Sequence, residues 1–208
     1  MKRSDLAVYF IMGTENCVKA PLQTLEEALA AGITMFQLRE KGSYALKGEA
    51  YIQFARQCQA LCTQYNVPFV INDDVALAVL LEADGLHIGQ DDAQLQIAKA
   101  QFKGFIGVSV HTADEMATAI DGGCAYVGIG PIYATSSKAD AKVPCHTAFP
   151  KAMHEQFPEC PIVAIGGIEA SNVAPVLATG VDGVAVISAI CHSSDIQQTV
   201  KQLKGETI

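Results

Sequence analysis

The chain has 208 residues, half of them hydrophobic, with 14 Lys and Arg against 22 Asp and Glu, a net charge of −8. That length suits one domain, and the composition is ample for a buried core. The acidic balance excludes nucleic acid and an anionic membrane as main partners, since both call for a basic surface, but it leaves phosphate ligands open.

Short apolar runs alternate with longer amphipathic ones along the whole chain. Strands are predicted at LAVYFIM from Leu6, ITMFQLRE from Ile33, PFVIND from Pro68 and GLHIG from Gly85. Four more follow at FIGVSV from Phe105, AYVGIG from Ala125, PIVAIGG from Pro161 and GVAVISAI from Gly183. Between them lie helical stretches, from TLEEALAAG and LKGEAYIQFARQCQALCTQY near the start to DIQQTVKQLK near the end. Val- and Ile-rich runs separated by helices mark a parallel sheet covered on both faces. About eight such units close a (β/α)8 TIM barrel, and the chain is near that fold's lower size limit of roughly 200 residues. A doubly wound open sheet is the rival, but GTENC after the first strand is no dinucleotide fingerprint. A single barrel domain over residues 1–208 is expected.

Barrel enzymes carry their chemistry at the C-terminal ends of the strands. The second strand ends in Gln37-Leu38-Arg39-Glu40-Lys41, and alternation places Gln37, Arg39 and Lys41 on one face, suited to clamping a diphosphate. The third ends in Asn72-Asp73-Asp74, and Asp91-Asp92 follows the fourth. Asp73 and Asp92 fall at neighbouring strand tips, where two carboxylates can hold one Mg²⁺; helix capping is the plainer role for Asp74 and Asp92. After the fifth strand, Ser109 and His111 face one way, while Thr112 and Glu115 read as a capping box. His87 reads as a packed barrel residue. The sixth strand runs into GPIYATSSK, with Thr135, Ser136, Ser137 and Lys138 in a row. The seventh ends in Gly166-Gly167 and the eighth in Val186-Ile187-Ser188, where this fold often cradles a phosphate on backbone N–H groups.

The seven cysteines (Cys17, Cys58, Cys62, Cys124, Cys145, Cys160 and Cys191) contain no Cys-x-x-Cys pair, so zinc-site spacing is absent. Cys58 and Cys62 share a helix face and read as small buried hydrophobes, with a shared metal as the alternative. Met1 to Leu6 is short and charged, and no apolar run reaches membrane-spanning length, so a soluble cytoplasmic protein is expected. No oligomer interface is legible in the pattern.

Taken together, QLREK, INDD, GLHIGQDD, GPIYATSSK, IGGI and ISAI resemble the thiamine phosphate synthase family, in order over nearly the whole chain. The resemblance implies a transferase that joins a hydroxymethylpyrimidine diphosphate to a thiazole phosphate, carboxylated or not, releasing pyrophosphate. It implies that Gln37 to Lys41, Asn72, Ser109 and Lys138 bind the pyrimidine diphosphate, with Arg39, Lys41, Ser109 and Lys138 as the catalytic set. It implies Asp73 and Asp92 as Mg²⁺ ligands, and Thr135, Ser136, Ser137, Gly167, Ile187 and Ser188 as contacts to the thiazole phosphate. The family's loop more often reads Pro-Thr-x-Thr-Lys, whereas Ala134 and Ser137 stand here; a looser loop is expected. A thiazole tautomerase using His111 as base, and a non-catalytic precursor binder, are the competing readings.

Overall fold

The structure is a computed structural model; it describes residues 1–89, 92–137 and 142–206, and of 92–94 the backbone alone. Eight parallel strands close into a barrel in chain order: β1 (Val8–Met12), β2 (Met35–Leu38), β3 (Phe69–Asn72), β4 (Gly85–Ile88), β5 (Phe105–Val110), β6 (Tyr126–Ile129), β7 (Ile162–Ile165) and β8 (Gly183–Val186). β8 pairs back onto β1, with Val8 opposite Val184 and Phe10 opposite Val186. All eight expected strands are present. Their near-continuous apolar runs follow from the architecture, because both faces of a parallel barrel strand are covered.

Two strand expectations overshoot. β2 stops at Leu38, so Arg39 and Lys41 stand on the following loop and not on a strand face with Gln37. ISAI does not extend β8 but opens the four-residue helix α8 (Ser188–Cys191). At the other end, Leu6 lies in a 3-10 turn before β1, whose Arg3 donates to Asp182 at 3.0 Å and to the Pro158 carbonyl at 2.8 Å. This turn ties the chain's first residues to the segments that lead into β7 and β8.

Alternation sorts the strand residues into two layers. Phe10, Phe36 and Phe69 lie on the outer face of the sheet in a row, with centroids 5.7 and 6.2 Å apart. All three are buried, so helices cover them. Among these is α2 (Gly48–Tyr65), whose Cys58 and Cys62 are 0% and 1% exposed, small core residues as expected. Burial raises both thiols, that of Cys62 to about 12.

The inner layer holds Tyr9, Gln37, His87 and Tyr126, all buried. Gly107 on β5 makes room for them: a Cβ there would lie 2.1 Å from the Tyr126 ring. Shape and polarity therefore depend on each other inside this barrel. A glycine on one strand lets a phenol from the next cross the axis. Among the described residues no helix is long and apolar enough to cross a membrane.

Candidate active site

One cavity opens at the C-terminal ends of the strands, and its wall joins residues from nearly every strand tip. Its first side is basic and acidic together. Arg39 and Lys41 project from the loop after β2, and Asn72 and Asp73 from the end of β3. Lys41 Nζ donates to Asp73 Oδ2 at 2.5 Å, and Asn72 Nδ2 donates to the same oxygen at 2.8 Å. Asp73 takes a left-handed conformation (φ 61°), in which its N–H still meets the His87 carbonyl at 2.8 Å. Asp74 is the helix cap expected, accepting from Leu77 N–H at 2.9 Å at the start of α3 (Val75–Leu80).

The opposite side is built from hydroxyls and backbone. The loop after β6 lies against the Gly166-Gly167 turn, with Ile132 N–H on the Ile165 carbonyl and Tyr133 N–H on the Gly166 carbonyl, both at 2.9 Å. Gly167 has φ 64°, and a Cβ there would sit 2.5 Å from the Ala134 carbonyl oxygen. Only glycine fits both the conformation and the approach. Thr135, Ser137, Gly167, Ile187 and Ser188 line this side of the cavity. The Ser137 and Ser188 hydroxyls meet at 3.4 Å, joining the loops after β6 and β8.

The floor is a row of hydrogen bonds that crosses the barrel. Gln37 Nε2 donates to the Tyr9 hydroxyl at 2.6 Å, and the Tyr9 and Tyr126 hydroxyls lie 2.8 Å apart. The Tyr126 hydroxyl reaches His87 Nδ1, and His87 Nε2 reaches Ser109 Oγ, each at 2.9 Å. The arrangement that leaves no hydroxyl proton unplaced runs one way. Tyr9, accepting from the amide, donates to Tyr126; Tyr126 donates to Nδ1; Nε2–H then donates to Ser109. Burial pushes both tyrosines well above the ordinary phenol range, so they act here as neutral hydrogen-bonding groups.

These positions separate the sequence candidates. Arg39, Lys41, Asn72, Asp73, Ser109, Thr135, Ser137, Gly167, Ile187 and Ser188 come together on the cavity wall. Gln37 is 1% exposed beneath it, and Leu38 is buried on the outer face of β2. Glu40 turns away to organise loops: its carboxylate accepts from Thr14 N–H at 2.8 Å, from the Thr14 hydroxyl, and from Leu46 N–H at 2.9 Å. Ser136 is exposed and does not line the cavity. Lys138 and the Asp92 side chain lie outside the described residues; the Asp92 backbone opens α4 (Asp92–Gln101).

Thr112 caps α5 (Ala113–Asp121) as expected, with Glu115 N–H on its hydroxyl at 3.1 Å. The capping box does not close, however. The Glu115 carboxylate instead accepts from His111 N–H at 2.5 Å and lies 3.4 Å from His111 Nδ1, on the cavity wall. His87 is packed as expected, but it also lines the cavity. Lys142, which no sequence motif marks, also lines the cavity, 3.9 Å from Glu115. Tyr9 and Tyr126 join the site from below; the signal for them in the sequence is a phenol inside an apolar strand, which calls for a buried hydrogen-bond partner.

A parallel (β/α)8 barrel with cations, a carboxylate and hydroxyls gathered round one cavity at its strand tips is an enzyme scaffold with a polar, anion-suited mouth. Residues 8–190 match the family described as thiamine monophosphate synthase. A thiamine-phosphate synthase of Lysinibacillus sphaericus is 60% identical over 207 residues, 99% of this chain and 97% of that one. One from Bacillus mycoides is 50% identical over 202 residues, 97% of this chain and 92% of that one. The solved thiamine phosphate pyrophosphorylase of Pyrococcus furiosus superposes with a TM-score of 0.85 at 30% identity, covering 98% of this chain and 96% of that one. The chain belongs to the thiamine monophosphate synthase family and is an enzyme, a transferase of thiamine biosynthesis.

Proposed function

We propose that the cavity joins 4-amino-2-methyl-5-hydroxymethylpyrimidine diphosphate to 4-methyl-5-hydroxyethylthiazole phosphate, or its carboxylated form, and releases pyrophosphate. The observation that carries this reading is the division of one cavity into two anion-suited sides, Arg39 and Lys41 facing Thr135, Ser137, Gly167 and Ser188. Two phosphorylated substrates, each held by its own side, would meet over the floor.

On the donor side, Arg39 and Lys41, with Lys138, bind the diphosphate and stabilise the charge that grows on it as the methylene C–O bond breaks. Arg39 suits this role through its planar fork of donors, and Lys41 through its compact charge. Ser109 accepts from His87 and so keeps its own proton to donate to the donor substrate. Gln37 holds the far end of that row, and Asn72 orients Asp73. On the acceptor side, Thr135 to Ser137, Gly167, Ile187 and Ser188 hold the thiazole phosphate through hydroxyls and backbone N–H groups. The thiazole nitrogen forms the new C–N bond with its own electron pair, so no side-chain base is required. Holding both reactants in one cavity supplies much of the remaining rate.

Mg²⁺ fits the donor set. Asp73 presents a carboxylate to the cavity beside the diphosphate-binding cations, and Mg²⁺ commonly takes one or two carboxylates together with substrate phosphates. Asp73 and Asp92 would hold it, and when bound it would neutralise charge on the departing pyrophosphate. Seven free thiols and no disulfide fit a reducing, cytoplasmic setting.

The test mixes both phosphorylated substrates with the purified chain, with and without Mg²⁺, and follows thiamine phosphate and pyrophosphate. Equimolar release of both products, dependent on Mg²⁺, is expected. Binding of the pyrimidine diphosphate without product in either condition would overturn the reading.

A further inference from the structure

Cys17 and Cys191 play no part in the chemistry above, yet their sulfurs lie 3.7 Å apart. They come from opposite ends of the chain. Cys17 follows the 3-10 turn Thr14–Asn16 after β1, and Cys191 ends α8. The contact is not an isolated approach of two side chains, because His192 Nε2 also reaches the Asn16 carbonyl at 3.2 Å. Two neighbouring residues on each segment therefore hold the segments side by side. Cys17 is half-buried and reachable from solvent, whereas Cys191 is 3% exposed behind it. A hydrogen bond shared with Cys191 holds the Cys17 thiol below the ordinary range, although burial and Glu40 push it up. Among the described residues no group of three His, Cys, Asp or Glu is placed to hold a metal, so the pair lacks the ligands of a zinc site.

We propose that Cys17 and Cys191 form a modification site, which a peroxide converts to a disulfide that slows the enzyme. The Cys17 thiolate attacks one peroxide oxygen, the O–O bond breaks, and a sulfenic acid forms; the departing hydroxide takes up the proton the thiol had lost and leaves as water. The Cys191 thiol then attacks the Cys17 sulfur and expels the second water. Two electrons pass from the two thiols to the peroxide, and a thiol reductant reverses the step. Intracellular disulfides of this kind are generally transient and redox-sensing.

The bond would act on the cavity through α8. Closing the sulfurs to roughly 2.0 Å draws the end of α8 toward the loop after β1. The same four-residue helix begins at Ser188, which lines the cavity and meets Ser137. The effect on rate rests on the reading of Ser188 as a phosphate contact; formation of the disulfide does not.

The test treats the purified full-length chain with hydrogen peroxide, blocks remaining thiols, and maps cross-linked peptides by mass spectrometry, with turnover measured before and after. A Cys17–Cys191 cross-link is expected, with turnover lowered about tenfold or more, since a misplacement of ~1 Å can cost up to about a hundredfold. Dithiothreitol should restore it. The Cys17→Ser and Cys191→Ser variants should start with ordinary turnover and keep it through mild oxidation. The neighbouring thiols Cys124 and Cys160, ahead of β6 and β7, remain in both variants and serve as the internal control. Absence of the Cys17–Cys191 cross-link would overturn the proposal. A cross-link with unchanged turnover would overturn its link to α8. An untreated chain without turnover would count against the proposed function, while the cross-link would still decide the modification.

Discussion

His87 Nε2 lies 2.9 Å from Ser109 Oγ, and its other ring nitrogen lies 2.9 Å from the Tyr126 hydroxyl. The imidazole thus connects a hydroxyl on the cavity wall to a phenol with no exposure to solvent. Its orientation is set by the buried row behind it. Ser109 is a donor to the cavity only while that row keeps its direction.

A His87→Phe variant should therefore lose rate and stability by separable routes. It removes the donor to Ser109, and we expect turnover to fall at least about tenfold through misplacement of that hydroxyl. It also leaves the Tyr126 proton without an acceptor, although Tyr9 still donates to that hydroxyl, and a buried polar group left part-satisfied costs about 1–3 kcal/mol. Adding Tyr126→Phe should recover none of the turnover and little of the stability, because the buried Tyr9 hydroxyl then loses its acceptor in turn. Urea unfolding and steady-state kinetics on the single and double variants check both halves.

Lys41→Ala should show the reverse pattern. Lys41 and Asp73 are paired at 2.5 Å, but their side chains are 47% and 44% exposed. An ion pair so open to water contributes little, so the melting temperature should barely move, within about 0.5 kcal/mol of stability. Turnover should fall about a hundredfold or more, because a cation placed on the leaving group stabilises charge at the moment of bond cleavage. Unchanged turnover would remove Lys41 from the donor side.

Gly167→Ala tests the acceptor side. The added methyl would meet the Ala134 carbonyl at 2.5 Å in a backbone with φ 64°. We expect a loss of about 1–3 kcal/mol and a raised KM for the thiazole phosphate, with a smaller change for the pyrimidine diphosphate. Equal changes in both KM values would argue against two separate sides.

Alkaline pH should destabilise the fold well before it damages the surface. Burial holds the Cys58, Tyr9 and Tyr126 protons more tightly in the native chain, and lifts Cys62 from 9.0 to about 12. A raised folded pKa gives stability that is complete below the unfolded value. That stability is lost as pH rises from there toward the folded value, because the unfolded chain releases the proton first. The unfolding free energy from urea titrations should thus fall between about pH 8 and about pH 10.5, by at most roughly 1.4 kcal/mol per pH unit for each such group that titrates. A flat profile over that range would contradict the assignment of these groups as dry.

The eight strands were legible because a parallel barrel buries both faces of each one, leaving runs that no solvated strand would carry. The strand tips stood out for the opposite reason: Arg39, Asp73, Ser109 and Ser188 are polar residues at or just beyond the ends of apolar runs. Strand ends were less legible. Ile187 and Ile190 suit a strand as well as a short helix, and only the packing of α8 decides between them. Gln37 and Arg39 shared a face on paper, but the strand stops between them, so one is buried and the other lines the cavity. The floor was illegible as a unit. Its hydrogen bonds join residues 28, 117, 39 and 22 positions apart, and no local pattern encodes such partners.

The pairing of β8 with β1, reinforced by Arg3 reaching Asp182 across 179 positions of sequence, has a consequence for how the protein is made. β1 emerges from the ribosome before the other seven strands, and β8, which completes its ladder, emerges after all of them. Until β8 is available, any sheet formed by the earlier strands has two bare margins, the state most exposed to wrong pairing. The Arg3–Asp182 contact forms only when those margins meet, so it reports the moment the nascent chain becomes a finished barrel.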